Sequence, residues 1–307
     1  MNLRGVRTRF RQLPGPARAL TEGVVLVAVA IVLALFIKTF FVQAFYVPSQ
    51  SMYPTLEGGY GPSDRILVEK PSYWMGSPQR GDIVVFKDPA HWLNQEESST
   101  PTSGLTGMMA KVGLFPGGGH LVKRVIGVAG DTIQCCDKTM VKDSKTGQMV
   151  HGPTWGDLLI NGTPVDESSF LPPLAGAQQT INGTTQTVEP GRACDGPEGL
   201  QGAGCRGWTA VVPPGMVFVL GDNRGVSADS AWHLCDPSTQ AQADKGDKNA
   251  EQLCRGAYVP VSDVVGKVVA ILWPASRFKF LSRPQIKAWV NDAWESVDFA
   301  KIPAKKD

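Results

Sequence analysis

The chain has 307 residues, 42% of them hydrophobic, with 30 Lys and Arg against 28 Asp and Glu for a formal charge of +2. That is enough apolar material for a sizeable core, divided naturally into one anchor and a single large or two-part domain. Five arginines and no acid stand in the first 21 residues, leaving 25 basic residues against 28 acids, so no basic surface and no nucleic-acid partner is implied for the main body.

Residues 1–21, with Arg4, Arg7, Arg9, Arg11 and Arg18, read as a basic N-terminus held on the cytoplasmic side. From Gly23 the chain is apolar to Ile37, then passes Lys38 and Thr39 into Phe40-Phe41-Val42, 20 residues in all. At 1.5 Å per residue this spans roughly 30 Å, the thickness of the hydrocarbon core. Residues 22–43 are therefore expected to form one transmembrane signal-anchor helix in the cell membrane, inner or plasma, with everything after about residue 45 extracytoplasmic. A cleavable secretory signal would also use a basic flank, an apolar run and Ala28-Val29-Ala30. That triplet lies mid-run, however, and the apolar character continues well beyond it.

Beyond the anchor the pattern turns to short runs of branched residues. Arg65–Lys70, Asp82–Phe86, Leu121–Val128, Ala210–Val212, Met216–Leu220 and Val264–Leu272 read as strands, most of them punctuated by Gly, Pro or Asp. No sustained helical periodicity appears between 45 and 280. The expected fold is an all-β exported domain of antiparallel sheets, with residues 44–136 and 208–280 as its core. Residues 89–119 are rich in Ser, Thr and Gly and read as a long loop or ribbon. Residues 137–207 have weaker strand signals and read as an inserted subdomain, and Trp232–Gly256 as a surface loop stapled by cysteines. Asn161-Gly162-Thr163 and Asn182-Gly183-Thr184 match a glycosylation sequon, but Asn-Gly turns account for them equally. In the last segment, 281–307, Ser282 and Gln285 have capping-box spacing, and Ile286, Trp289, Val290, Ala293, Trp294 and Val297 recur at helical intervals. A short amphipathic C-terminal helix is expected there, packed on the body or resting at the membrane interface.

The six cysteines, Cys135, Cys136, Cys194, Cys205, Cys235 and Cys254, all fall in the exported part, in keeping with an oxidising compartment. Connectivity is open. Cys194 with Cys205 and Cys235 with Cys254 enclose short loops and are the first pairings to expect. The vicinal Cys135-Cys136 could instead hold free thiols. No CxxC spacing is present, and the four histidines are scattered, with His120 and His233 reading as ordinary loop residues, so no metal and no cofactor is expected.

Two features carry chemistry. Pro48-Ser49-Gln50-Ser51-Met52-Tyr53-Pro54-Thr55-Leu56 places serine hydroxyls just past the apolar segment. A serine attacks only when a base takes its proton, and with no histidine in a triad-like context a lysine is the available base. Such a lysine must be neutral. Lowering its pKa from near 10.4 by two to three units penalises the charged form by roughly 3–4 kcal/mol, which apolar burial can supply. In Leu121-Val122-Lys123-Arg124-Val125-Ile126-Gly127-Val128, strand alternation puts Lys123 on one face with Leu121 and Val125, and Arg124 on the other with Val122 and Ile126. A strand lysine that merely snorkels to solvent is the bland alternative.

These stretches resemble bacterial type I signal peptidases, membrane-bound enzymes that remove signal peptides from exported preproteins. Ser49–Leu56 is similar to the family's nucleophile box, Arg80–Phe86 to its second box, Lys123–Asp131 to its lysine box and Gly221–Ser230 to its last. The resemblance implies the β-fold shared by signal peptidases and self-cleaving repressors, with Ser51 as nucleophile and Lys123 as general base. It further implies an oxyanion hole made by the Ser51 N–H and the Ser49 hydroxyl. Ser227 would orient the lysine, Asp229 would support that segment, and Asp222 with Arg224 would form a structural ion pair. Val47, Met52, Leu56, Leu121 and Val122 would line pockets for Ala-x-Ala-like residues of a preprotein substrate, beside membrane lipid. Where the family commonly has arginine after Asp-Ser, this chain has Ala231. Lys145-Thr146-Gly147 and Ser276-Arg277-Phe278-Lys279 resemble penicillin-binding elements, but in reversed order and without the Ser-Asp-Asn between them. A repressor role does not suit an anchor and exported cysteines. The remaining alternative, a membrane-tethered non-catalytic β-rich binding or scaffolding protein, gives no reason for a lysine in an apolar strand or for the Gly-Asp-Asn-Arg turn.

Overall fold

In the computed structural model, residues 15–59, 62–93, 119–135, 140–142, 149–151, 158–167, 169–171, 178–181, 184–187, 208–224, 226–284 and 286 are described. Helix α1 (Gly15–Phe40) comes first. Its Ala19–Ile37 window is strongly apolar, and none of it is buried among the described residues. A run of that length and composition is suited to crossing lipid.

The chain turns from α1 into a strand within two residues. Phe41 still donates to the Ile37 carbonyl at 2.8 Å, while its own carbonyl accepts the Lys70 N–H at 2.9 Å. The strands are β1 (Val42–Tyr46), β2 (Arg65–Glu69), β3 (Ile83–Lys87), β4 (His120–Val128), β5 (Thr132–Cys135), β6 (Met140–Lys142), β7 (Met149–His151) and β8 (Leu159–Ile160). They continue with β9 (Thr163–Pro164), β10 (Gln178–Ile181), β11 (Thr184–Thr187), β12 (Trp208–Val211), β13 (Met216–Leu220), β14 (Val259–Pro260), β15 (Val264–Trp273) and β16 (Lys279–Phe280). The main sheet runs β1-β2-β15-β3-β4-β13-β14 with β16 beside β15; a second runs β12-β5-β8-β9, and β6-β7 and β10-β11 pair as hairpins. Every pairing is antiparallel, as expected for the exported domain.

The central strands are continuous apolar runs because both of their faces are buried. In β3, Ile83 and Val85 join one cluster with Val47, Met52, Leu56 and Ile271, while Val84 and Phe86 join another with Val125 and Val219. In β13, Val217 and Val219 belong to that second cluster, and Phe218 and Leu220 face a third beneath the small sheet.

Residues 158–167 and 169–171, inside the stretch read from sequence as an inserted subdomain, pack into the body. Leu158, Ile160, Val165 and Phe170 share the third cluster with Ile126, Ile133 and Phe218. Asn161 and Gly162, with φ of 53° and 80°, make the tight turn between β8 and β9. The second Asn-Gly pair, most of 89–119, Cys136, Cys194, Cys205 and residues 287–297 of the expected C-terminal helix lie outside the described residues; residues 281–284 and 286, at its start, are non-helical.

Two short helices are present where a loop was expected. α2 (Pro237–Ala243) is capped by the Asp236 carboxylate and α3 (Lys248–Arg255) by that of Asp247. Cys235 and Cys254 are bonded across them, as the spacing suggested. Cys135 is also disulfide-bonded, which corrects the free-thiol reading for that residue.

Candidate active site

Ser51 sits in the loop between β1 and β2. Backbone bonds from Tyr53 to Gln50 (3.0 Å) and from Leu56 to Met52 (2.9 Å) wind it into a turn, seated by the fully buried side chains of Met52 and Leu56. The base of the loop is tied at Asp64, whose carbonyl accepts the Val47 N–H at 3.0 Å and whose carboxylate accepts the Glu57 N–H at 2.8 Å. Arg277 clamps the same base, donating to Asp64 at 2.9 and 3.0 Å and to Glu57 at 2.7 Å.

Lys123 lies on β4 opposite Val84. It is 4% exposed, and its Nζ lies 2.5 Å from Ser51 Oγ. Burial pulls the lysine down from 10.5 to about 8, against the charges of Asp229 and Asp222, which act to raise it. Ser49 Oγ is 3.3 Å from Ser51 Oγ. Ser227 is buried nearby, but its Oγ has no hydrogen-bond partner among the described residues, so the Ser227–Lys123 bond expected from the resemblance is not formed.

The segment after β13 closes over the serine. The Asn223 N–H donates to the Ser51 carbonyl at 3.0 Å, and its side-chain amide donates to the Gln50 carbonyl at 3.2 Å. Gly221 has to be glycine, because a Cβ there would collide with the Ser51 carbonyl and with the Ser227 side chain. Asp229 accepts the Gly221 N–H at 2.9 Å and the Ala231 N–H at 3.1 Å. Backbone donors thus occupy both oxygens of this carboxylate.

The expected ion pair between Asp222 and Arg224 is not formed. Asp222 pairs instead with Arg124, through Nε at 2.7 Å and Nη2 at 2.6 Å, and accepts the Thr55 hydroxyl at 2.5 Å. Arg124 also donates to the Gly81 carbonyl at 2.9 Å and lies 4.2 Å from the centroid of Phe170. Arg224 turns the other way and pairs with Glu167. Two acids at positions 222 and 167 therefore divide the two arginines between them. Sequence reasoning passed over Thr55, Asn223 and Glu167 as site residues; Thr55 and Asn223 stood inside motifs already singled out, whereas Glu167 lay in none.

Of the expected pocket residues, Val47, Met52 and Leu56 lie in one apolar cluster with Val122 packed on it. Leu121 packs on the other face, with Val84 and Phe86.

A solvent-stripped amine against a serine hydroxyl, on a sheet that an apolar helix leads into, defines the class as a membrane-anchored hydrolase of the serine/lysine kind. Within it, the chain belongs to the family described as signal peptidase, peptidase S26, whose model matches residues 20–273. A probable signal peptidase I of Mycobacterium leprae is 33% identical over 86% of this chain and 80% of its own length. The signal peptidase I of Mycobacterium tuberculosis H37Rv is 34% identical over 86% and 77%, and that of Leptolyngbya laminosa 30% identical over 86% and 85%. Among solved structures, a signal peptidase I from Enterococcus faecalis V583 is 21% identical, covering 62% of this chain and 97% of that one, with a TM-score of 0.26.

Proposed function

We propose that Ser51 is the nucleophile and Lys123 the general base with which this peptidase cuts signal peptides from exported preproteins. The reading rests on one observation, the buried Lys123 amine 2.5 Å from the Ser51 hydroxyl. Neutral Lys123 takes the Ser51 proton as Oγ attacks the scissile carbonyl. The Ser51 N–H and the Ser49 hydroxyl stabilise the oxyanion. The lysine ammonium then protonates the departing amine, leaving the signal peptide esterified to Ser51. Water, deprotonated by the same lysine, hydrolyses that ester and restores the hydroxyl. The chemistry requires no metal or cofactor.

Val47, Met52, Leu56 and Val122 would form the apolar floor that admits small residues, favouring Ala-x-Ala before the cut. The arginine-rich N-terminus supports a topology with residues 1–21 in the cytoplasm, α1 as a single span and the sheet on the extracytoplasmic side, against membrane lipid. The Cys235–Cys254 bond suits that compartment. The test is cleavage of a preprotein by the purified chain in detergent with lipid, with the new N-terminus sequenced. A cut after Ala-x-Ala is expected. A folded protein that cleaves no preprotein would favour the scaffold alternative instead.

The lysine also sets a pH dependence. Only the neutral amine can act as base, so kcat/KM should rise about tenfold per pH unit below an inflection near 8 and level off above it. Initial rates on a peptide substrate between pH 6 and 10 check this, and a flat profile counts against Lys123 as the base.

A further inference from the structure

The dyad leaves unexplained a stacked pair at the root of the 232–256 insertion. The His233 ring lies flat on Trp92, with centroids 4.4 Å apart and planes 2° from parallel. Trp92 is buried, edge-on to Phe86 of β3 at 5.9 Å, and its backbone N–H is held by the Asp88 carboxylate at 2.7 Å. Its indole N–H donates to the Gly256 carbonyl at 2.9 Å. One tryptophan thus touches both ends of the insertion, His233 where it leaves and Gly256 where it returns. The Cys235–Cys254 bond ties those ends together two residues inside each.

The other side of His233 meets the active-site segment. Its backbone N–H donates to the Asp229 carbonyl at 3.1 Å, and its Nδ1 lies 2.8 Å from the same oxygen. A carbonyl only accepts, so Nδ1 carries the hydrogen. The peptide of Asp229 is therefore gripped by two donors of one residue, while its carboxylate holds Gly221 and Ala231. Gly221 in turn packs directly on the Ser51 carbonyl. The charged groups facing Lys123 are Asp229 and Asp222, the second neutralised by Arg124. Arg224 and Glu167 close the segment as a pair of their own.

We propose that His233, braced by Trp92, is a positioning residue of this peptidase: it fixes Asp229, and through it the contact of Gly221 with Ser51 and the negative charge that faces Lys123. The insertion that follows Ala231 thereby holds the main chain of the aspartate from outside. The proposal rests on the dyad reading above.

Two substitutions separate the donor from the stack. His233→Phe keeps a ring on Trp92 but donates nothing from its side chain; His233→Asn restores an N–H near the Nδ1 position without the ring. In the full chain, His233→Phe should lower the plateau kcat about tenfold with KM and thermal midpoint held, since small displacements of a catalytic group have effects of this order or larger. Its rising pH limb should shift to lower pH, because an Asp229 free to move away favours the lysine ammonium less. His233→Asn should recover most of the rate despite a lower midpoint. A wild-type rate and pH limb in His233→Phe would overturn the proposal. So would equal losses in both variants that merely track the folded fraction. Ser51→Ala runs beside them: activity surviving there condemns the dyad itself, whereas an inert Ser51→Ala beside a fully active His233→Phe condemns only the positioning role.

Discussion

Lys123→Met is expected to give a folded protein that cleaves preproteins at least roughly 10³-fold more slowly than wild type, the scale on which a general base contributes. Ser51→Ala should fall at least as far, and the double variant no further, because the two groups act as one unit. The stability of Lys123→Met is the more discriminating result. In the unfolded chain the lysine stays charged up to its ordinary 10.5, in the folded protein only to about 8. Between those values the unfolded chain holds the extra proton, so wild-type stability rises with pH across that window. Below it, the buried charge penalises the folded state by about 3 kcal/mol, from a lowering of some 2.5 pKa units at 1.36 kcal/mol each. Methionine fills similar space without that penalty. At pH 7 the variant should therefore unfold no lower than wild type, and the difference should shrink as pH approaches 10. Thermal unfolding of both proteins at pH 7, 8, 9 and 10 checks this; a gap that widens with pH would mean that the lysine is not held neutral by burial.

Arg124→Ala should have the opposite signature, a large loss of stability. Both partners of the Arg124–Asp222 pair are nearly solvent-free, with side chains 2% and 1% exposed. Removing the arginine strands a buried carboxylate with, among the described residues, only the Thr55 hydroxyl to serve it, a situation that costs about 3–5 kcal/mol. For a body of this size that is a fall of roughly 10 °C in Tm. Activity measured well below the new midpoint should fall less than in the dyad variants, because the lost group touches neither reacting atom. Combining Arg124→Met with Asp222→Leu should recover much of the stability, since an apolar pair leaves no charge unpaired. A double variant as unstable as Arg124→Ala would contradict this account.

The parts of the fold legible in the sequence are those with two buried faces. Met216–Leu220 is bounded to the residue, and Asp82–Phe86 to within one, because a short branched run bounded by Gly is too brief for a helix and suits a strand covered on both sides. β1 is hidden for a related reason. Val42 to Tyr46 extends an apolar run that already reads as helix, and only pairing with Arg65–Glu69 turns it into a strand. α2 and α3 are about two turns each, too short for periodicity, although Asp236-Pro237 carries a helix-start signal. At the site, Ser51 and Lys123 are legible through their motifs, but nothing local predicts that residues 72 positions apart meet at 2.5 Å. The ion pairs fail on this point. Asp222 and Arg224 look like natural partners two residues apart, yet a tight turn aims them at different neighbours, and their true partners lie 98 and 57 positions away.

The junction of α1 with β1 limits what this peptidase can reach. The helix ends at Phe40 and the strand begins at Val42, so a single residue separates the apolar helix from the sheet. In the proposed orientation so short a connection leaves no long tether and keeps the blade close above the bilayer. A preprotein then has to satisfy a ruler as well as a pocket: small residues placed too far along the chain from its own apolar segment go uncut, however well they would fit.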